Sequence, residues 1–190
     1  MLVLLLALSA AAVLAQEPRP CQSPRQFEGR LARIDRSRGI AVFAHFSYDE
    51  DNRRVRESEE IDIGSTTDYF DVLYLHNIGK EYRYNYRTKN CTVSDLTRPF
   101  IPFGVPADAR FRGEGSVGAS GRPDEHVTAV LFEGEFESNP YAFVVTSPDC
   151  FPIEMDFFSN RTGVVRSTFY DITIGIHDPS RFIPPPECPQ

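Results

Sequence analysis

The stretch TDYFDVLYLHNIGKEYRYNYRTKNCT, which spans residues 67–92, predicts an antiparallel β-hairpin around which the rest of the chain is organised. Residues 69–75 are rich in aromatic and branched side chains, which are typical of a strand. Asn77 and Gly79 tolerate the left-handed backbone conformation of a turn. In the returning strand, residues 82–86 alternate tyrosine with polar residues, so we expect one buried face and one exposed face.

The hairpin ends in an acceptor sequence for N-linked glycosylation, Asn90-Cys91-Thr92. A second acceptor sequence begins at Asn160. Both lie at the ends of predicted strands, where the asparagine has to be exposed for a glycan to be attached. We therefore expect glycans on Asn90 and Asn160.

The first fifteen residues are apolar apart from Ser9, and the run ends in small residues. This pattern predicts a signal peptide at residues 1–15, because a membrane anchor needs about 20 apolar residues. The remaining residues, 16–190, suit a single domain. We expect this domain to be secreted, into the extracellular space or the lumen of the secretory pathway.

The chain has four cysteines, Cys21, Cys91, Cys150 and Cys188, and all of them lie beyond the predicted signal peptide. An even number of widely spaced cysteines in a secreted chain predicts two structural disulfides, and the sequence alone leaves three pairings open. No Cys-x-x-Cys pair is present, which argues against a zinc or thioredoxin-like site. The formal net charge of -7 argues against nucleic acid as a partner.

Charge is unevenly distributed along the chain. Residues 19–38 hold six arginines against two acids, whereas residues 49–62 hold seven acids against three arginines. The simplest interpretation is a pair of solvated strand faces. The alternative is a basic rim suited to the head groups of anionic membrane lipids.

Most of the remaining chain has the alternation of β-strands, and we find no convincing long helix. Strands are predicted at residues 27–34, 40–48, 53–63, 126–136, 141–146, 151–158 and 164–176. Residues 40–48 are apolar on both faces, so this strand is expected to be buried on both sides, with His45 as a core residue. Residues 98–125 are rich in proline and glycine and predict a long irregular region that either plugs the sheets or covers a cavity as a lid.

No motif in the chain supports an enzyme. The glycines at 113, 115 and 118 match a dinucleotide-binding spacing, but no apolar strand precedes them and no helix follows. The acidic turn that starts at Asp49 resembles a calcium loop, but arginine occupies the position that requires glycine. We therefore expect no required cofactor and assign no metal ligands, while a shallow calcium site stays open.

Several motifs together resemble the ependymin family, and the resemblance covers essentially the whole chain beyond the signal peptide. Its motifs are Cys21-Gln22-x-Pro24, Phe27-Glu28-Gly29, Ser47-Tyr48-Asp49, Arg54-Val55-Arg56, Thr88-Lys89-x-Cys91, Asp149-Cys150-Phe151-Pro152, Phe169-Tyr170-Asp171-Ile172 and Asp178-Pro179-Ser180-x-Phe182.

The resemblance implies an all-β fold of two stacked, curved antiparallel sheets, a sandwich or half-barrel like the bacterial lipoprotein carriers, with a deep hydrophobic pocket. It implies the disulfides Cys21–Cys150 and Cys91–Cys188. It also implies a secreted and lysosomal glycoprotein, a homodimer that binds hydrophobic molecules, with calcium as a further ligand.

We therefore expect a non-enzymatic protein that binds lipids or other hydrophobic ligands. The alternative is a calcium-binding glycoprotein of the extracellular matrix or of cell adhesion. The predicted pocket lining combines aromatic and aliphatic residues of the central strands with two phenylalanines of the long loop at its mouth. These residues are Phe43, Phe46, Phe70, Val72, Leu73, Tyr84, Val130, Phe132, Phe100 and Phe103.

Overall fold

Alternating apolar and polar residues produce eleven β-strands in the computed structural model, which describes residues 17–159 and 163–189. The predicted signal peptide and Asn160 lie outside the described residues. The strands are β1 Gln26–Asp35, β2 Ile40–Asp49, β3 Arg54–Ile63, β4 Thr66–Leu75, β5 Lys80–Asn85, β6 Asn90–Asp95, β7 Arg110–Gly118, β8 His126–Phe136, β9 Asn139–Thr146, β10 Pro152–Ser159 and β11 Gly163–Ile174. Short 3₁₀ turns occupy Pro123–Glu125 and Pro179–Phe182. No helix within the described ranges is long and apolar enough to cross a membrane.

All the strands pair in antiparallel fashion in the order β6-β5-β4-β3-β2-β1-β11-β10-β9-β8-β7. The predicted all-β antiparallel class is confirmed. The two expected sheets are the two halves of one continuous sheet, because β1 pairs with β11 as well as with β2. This pairing brings the first and last strands together at the centre of the sheet.

One face of the sheet carries the hydrophobic core, and we call it the inner face. In the half formed by β1–β6, the core is built around Phe27 and Phe46, and Phe169 of the adjoining β11 packs with them. In the other half, it is built around Phe132 and neighbouring residues of β8 and β9. Residues that pack against both clusters, such as Phe103 and Met155, join the two halves. The opposite face of the sheet is the outer face.

The segment between β6 and β7 fills the inner face. The Phe103 backbone N–H donates to the hydroxyl oxygen of Tyr48 at 3.0 Å. The Phe103 ring lies edge-on to Phe27, with 5.4 Å between centroids, and Val105 is completely buried. The plugging role, one of the two alternatives for this region, is the one observed. The prediction that all of residues 98–125 are irregular was wrong, because Arg110–Gly118 forms β7.

The two disulfides join Cys21 to Cys150 and Cys91 to Cys188, the same pairs that the resemblance implies. The second disulfide fixes the C-terminal tail, residues 176–188, across the outer face of β3–β6. Within this tail Phe182 is buried against Leu73 and Leu75 of β4.

Arginine side chains of β3 hold the tail in place. The Arg54 guanidinium lies 4.1 Å from the centroid of the Phe182 ring. The Arg56 guanidinium is bound to the carboxylate of Asp71 and donates to the backbone carbonyl oxygens of Arg181 and Ile183. The tail is therefore an integral layer over this part of the sheet.

A β-bulge interrupts the pairing of β1 with β11 at Gly29. Here Asp171 of β11 has a positive φ of 50°, and the two backbones approach closely. A Cβ atom on Gly29 would lie 3.0 Å from the carbonyl oxygen of Tyr170 and 3.2 Å from Cε1 of Phe46. A side chain at this position would therefore force its neighbours to shift by a few tenths of an ångström.

We expect Gly29→Ala to lower the free energy of unfolding by about 1 to 3 kcal/mol, because the added methyl group overpacks the bulge. Urea denaturation measures this change. Gly115→Ala in β7 is the matched control, since its Cβ would meet no atom within 4 Å. Equal stability of the two variants would contradict the close approach at the bulge.

Candidate functional site

An open groove of about 690 Å³ crosses the outer face of β11, β1, β2, β3 and β4. It lies on the side of the sheet opposite the Phe46 cluster and beside the part that the C-terminal tail covers. The residues that line it are Arg30, Leu31, Ala32, Phe43, Ala44, His45, Ser58, Glu59, Glu60, Tyr69, Phe70, Tyr86, Tyr170 and Asp171.

Strand register places the central residues of the groove. Phe43 of β2 lies directly opposite Glu60 of β3, and Glu60 lies directly opposite Tyr69 of β4. The row continues to Tyr86, whose backbone N–H donates to the carbonyl oxygen of Tyr69 at 3.0 Å. The three aromatic side chains and Tyr170 of β11 are between 44% and 50% exposed. The groove therefore presents four half-exposed aromatic rings on one sheet face.

The sequence-based prediction for β2 was wrong on one of its two faces. Val42, Ala44 and Phe46 point to the inner core, as alternation requires. Phe43 and His45 point to the outer face and are exposed, so His45 is not a core histidine. No segment in the described part of the chain covers this face at Phe43 and His45.

The charged residues of the groove differ in how they are compensated. Arg30 is paired with Asp171, and its Nε donates to Oδ2 of that carboxylate at 2.6 Å. Within residues 17–159 and 163–189, no hydrogen bond or ion pair engages the side chain of Glu60. Glu60 therefore stands as an uncompensated carboxylate between two aromatic rings.

The structure distributes the predicted pocket residues over three places. Phe46, Val72, Val130 and Phe132 are buried on the inner face. Leu73 and Tyr84 are buried on the outer face in the region of the tail.

Two loop residues and two strand residues complete the predicted set. Phe100 and Phe103 pack onto the inner core rather than around a cavity mouth. Of all the predicted lining residues, Phe43 and Phe70 border the groove.

Most residues of the groove were not predicted from the sequence, and among them are Glu60, Tyr69, Tyr86 and Tyr170. The partly apolar alternation of β4 contained a signal for Tyr69. Nothing local to β3 distinguishes Glu60 from the other acids of that strand, because its position follows from the pairing of β3 with β2 and β4.

The acidic turn after β2 is occupied by internal hydrogen bonds. Asp49 is fully buried and accepts from Gln26 Nε2 at 2.9 Å, Asn52 Nδ2 at 2.7 Å and Arg54 Nε at 2.7 Å. Burial raises the pKa of Asp49, but these hydrogen bonds outweigh it and the pKa falls below its ordinary value. Among the described residues, no group of three or more His, Cys, Asp or Glu is placed to hold a metal ion. Calcium binding stays a prediction.

Arginines of the basic stretch are largely paired with acids. The ion pairs are Arg25–Asp51, Arg30–Asp171, Arg33–Glu57 and Arg38–Asp35. These contacts favour an internally compensated stretch over a free basic rim, although the carboxylates of Glu57 and Asp35 are buried rather than solvated.

A cluster of charges lies on the inner face behind the groove, at Glu57 and Glu59 of β3. Arg33 donates to Glu57 at 3.2 Å and Arg83 donates to Glu59 at 3.3 Å. Burial raises the pKa of Glu59, and the neighbouring Glu57 raises it further, to about 8. Burial also raises the pKa of Glu57, but the charge of Arg33 and the hydrogen bonds from Glu59 and Arg33 outweigh it, so the net shift is downward. The two carboxyl groups therefore share one proton near neutral pH.

Comparison with known proteins agrees with these motifs and this topology. A family model described as Ependymin matches residues 64–188. The chain belongs to the ependymin family. Mammalian ependymin-related protein 1 of Rattus norvegicus is 32% identical over 175 residues, which cover 90% of this chain and 77% of the relative. Ependymin of Clupea harengus is 25% identical over 183 residues, which cover 95% of this chain and 86% of the relative.

A solved structure shares the fold of this family member. It is an uncharacterized conserved protein from Thermus thermophilus, with a TM-score of 0.56, 12% identity and coverage of 86% of each chain. At this identity the match describes the fold alone. The resemblance to ependymins inferred from the sequence is thus confirmed by the family model and by the relatives.

Proposed function

We propose that this protein is a secreted, non-enzymatic glycoprotein that binds a lipid-like molecule in the groove on its outer face. The observation that carries the proposal is the row of half-exposed aromatic rings in a groove of about 690 Å³. Ligand sites typically have volumes of about 300 to 1,000 Å³ and are lined mainly by apolar and aromatic side chains. Exposed apolar patches of this kind commonly mark binding sites.

Secretion is supported by the covalent structure. Two disulfides join distant parts of the chain, which is typical of proteins that fold in an oxidising compartment. The asparagine of the first acceptor sequence, Asn90, is exposed at the start of β6. Membership of the ependymin family supports an extracellular glycoprotein, and the lysosomal lumen is included in the proposal as a second destination.

The proposal is tested with a polarity-sensitive fluorescent fatty acid. We expect saturable brightening with the wild-type protein and a loss of affinity of about tenfold or more when Phe43 and Tyr69 are both replaced by aspartate, because charge disfavours an apolar ligand. Both positions are half-exposed, so the fold should tolerate the change. Phe136→Asp in β8 is the matched control, since Phe136 is 42% exposed and does not line the groove.

Three outcomes decide the proposal. Saturable binding that depends on the groove supports it. Binding that survives the double substitution in a folded protein places the ligand elsewhere and overturns it. If no lipid binds and the purified protein binds calcium and cell surfaces instead, the matrix or adhesion alternative is favoured.

Light scattering of the same samples measures whether a homodimer forms, and a dimer that the double substitution dissociates would show that a second copy covers the groove.

A further inference from the structure

We propose that the C-terminal tail, residues 176–188, is a detachable cover, and that reduction of the Cys91–Cys188 disulfide releases it and lengthens the groove along β5. This inference rests on the proposed function and adds to it a covered site for long acyl chains. It is carried by a row of tyrosines that is open at one end and covered at the other.

The row lies on the outer face of β5 and of the residue just beyond it. Tyr86 borders the groove and is 44% exposed, whereas Tyr84 is buried opposite Cys91 of β6. The two tyrosine rings meet edge to face, with 5.2 Å between their centroids. Tyr82 and its cross-strand partner Leu73 lie further along the same face, beneath the tail. The aromatic and apolar floor of the groove therefore continues under the tail.

The covered part of the row is long enough to hold much of an acyl chain. A strand rises about 3.3 Å per residue, so the four residues from Tyr86 to Tyr82 span about 13 Å. Each additional methylene group that a ligand buries tightens its binding about fourfold. A chain that ends near Tyr86 gains nothing from the covered surface, whereas a longer chain buries it once the tail has left. The site under the tail therefore selects for chain length.

Side chains and the disulfide, rather than strand pairing, hold the tail on the sheet. The backbone N–H groups of Arg181, Ile183 and Cys188 all donate to carbonyl oxygens within the tail itself. Phe182 is the buried anchor of the tail on β4, and Arg56 of β3 donates to the carbonyl oxygen of Arg181. Such a segment detaches as a unit, because its release leaves the pairing of the strands intact.

The two disulfides differ in their surroundings. Cys150 is part of a core cluster of the inner face, and Cys21 packs against that cluster. Cys91, by contrast, is half-buried and belongs to β6, the strand at one edge of the sheet. A dithiol reductant in solution therefore reaches the sulfur of Cys91 first, and the disulfide that fixes the tail is the one it opens.

Reduction follows thiol–disulfide exchange with a small dithiol. A thiolate of the dithiol attacks the sulfur of Cys91, and Cys188 leaves as a thiolate that takes up a proton. The second thiol of the reagent then attacks the reagent's own sulfur in the mixed disulfide and releases Cys91. The protein gains two electrons and two protons, and the dithiol is oxidised to its cyclic disulfide. The tail then stays attached at β11 alone, so its effective concentration over β5 falls.

Trypsin cleavage after Arg181 measures release of the tail without any ligand. In the docked tail, the carbonyl oxygen of this bond accepts from Arg56, so the protease reaches the bond only after detachment. Mild treatment of the wild-type protein with dithiothreitol should make this cleavage at least about tenfold faster, because cleavage tracks the population of the open form. Alkylation with iodoacetamide and mass spectrometry should find Cys91 and Cys188 modified and the other disulfide intact.

The second measurement compares two fatty acids that share one head group and differ in chain length, decanoate and octadecenoate. Displacement of the fluorescent fatty acid measures their dissociation constants before and after the same reduction. We expect reduction to tighten binding of octadecenoate at least about fivefold and to leave decanoate within about twofold, because the open fraction limits the apparent affinity of the longer chain.

Two sets of variants separate the cover from general effects of the reductant. Phe182→Ser removes the anchor from Leu73, so it should tighten binding of octadecenoate in the oxidised protein. Ile183→Ser is its matched control in the tail, since Ile183 is 63% exposed. The Cys91→Ala, Cys188→Ala variant should bind octadecenoate equally well with and without dithiothreitol.

The outcomes distinguish this inference from the function on which it rests. Equal rates of cleavage after Arg181 before and after reduction, or earlier reduction of Cys21–Cys150, overturn the detachable cover. Release of the tail with an equal gain for both fatty acids, or with no gain, overturns the lengthening of the groove. If neither fatty acid binds in either state while cleavage accelerates, the proposed function is overturned and the release of the tail stands.

Discussion

A variant in which Cys91 and Cys188 are both replaced by alanine should lose about 4 kcal/mol of its free energy of unfolding, because the unfolded chain is released from a long closed loop. The two cysteines are 97 positions apart in the sequence. Cys188 is buried and Cys91 belongs to β6, so the substitution also loosens the attachment of the tail to the edge of the sheet. Urea denaturation under oxidising conditions measures the loss.

The remaining contacts of the tail determine how the lost free energy of unfolding is divided between local detachment of the tail and global unfolding. Phe182 still packs on Leu73 and the Arg56 hydrogen bonds still reach the tail, so local detachment should precede global unfolding. Hydrogen exchange of the β4 and β5 amides measures that detachment. Ile183→Ser is the control, since Ile183 is 63% exposed and its replacement should change stability by less than about 0.5 kcal/mol. A double variant that is as stable as this control would contradict a structural role for the disulfide.

We expect Arg33→Met to lower the free energy of unfolding by about 2 to 3 kcal/mol near pH 8, because it leaves the buried carboxylate of Glu57 without its cation. This expected loss is smaller than the full cost of breaking a buried ion pair, because solvent reaches the Arg33 side chain, which is 36% exposed. Near pH 5 the loss should be smaller, since a carboxyl group without its arginine can take up a proton. Thermal and urea denaturation at both pH values measure the difference. An equal loss at both values would contradict the charge of Glu57 as its cause.

The double variant Arg33→Met, Glu57→Gln is the matched control for this experiment. It removes both charges, so it should recover much of the stability that the single substitution loses. Arg38→Met provides a second comparison, because Arg38 also binds a buried carboxylate, that of Asp35, but lies in the exposed turn after β1. A double variant no more stable than Arg33→Met would contradict the pairing as the cause.

The neighbouring Glu59 gives the wild-type protein its own dependence on pH. Its pKa in the folded protein is about 8, above the ordinary value of 4.5, because the group is buried and lies beside Glu57. The folded state therefore binds this proton more tightly than the unfolded state does. Its contribution to stability is fully present below the ordinary pKa and is lost as the pH rises through about 8. Glu57, whose pKa is lowered, acts in the opposite direction, and its contribution is lost in acid.

Sequence patterns located most strands because alternation is a local property. Residues 126–136 were predicted as a strand and coincide with β8, and residues 40–48 fall one residue short of β2. Two strands were missed: β6 was interpreted as the end of the hairpin, and β7 has three glycines that weaken its pattern. The strand β7 forms at the edge of the sheet, where its pairing with β8 along one side is sufficient.

The candidate site was harder to predict because it depends on what covers each face. The sequence showed that β2 is apolar on both faces, but burial of Phe43 would need a layer that the described part of the chain does not place there. Instead the tail, fixed through Cys188, covers Leu73 on the neighbouring part of the same face. Contacts between residues far apart in the sequence thus determine that Leu73 is buried and Phe43 is exposed.

The open sheet has β6 at one edge and β7 at the other, and both edges present unpaired backbone groups that could add strands of another molecule. Charged arginines and several glycines make β7 a poor template for aggregation. On β6 the acceptor Asn90 and the disulfide of Cys91 lie on the edge strand itself. A sugar on Asn90 would therefore keep a second sheet from docking there, so that glycosylation would protect the solubility of a protein whose fold leaves its margins open.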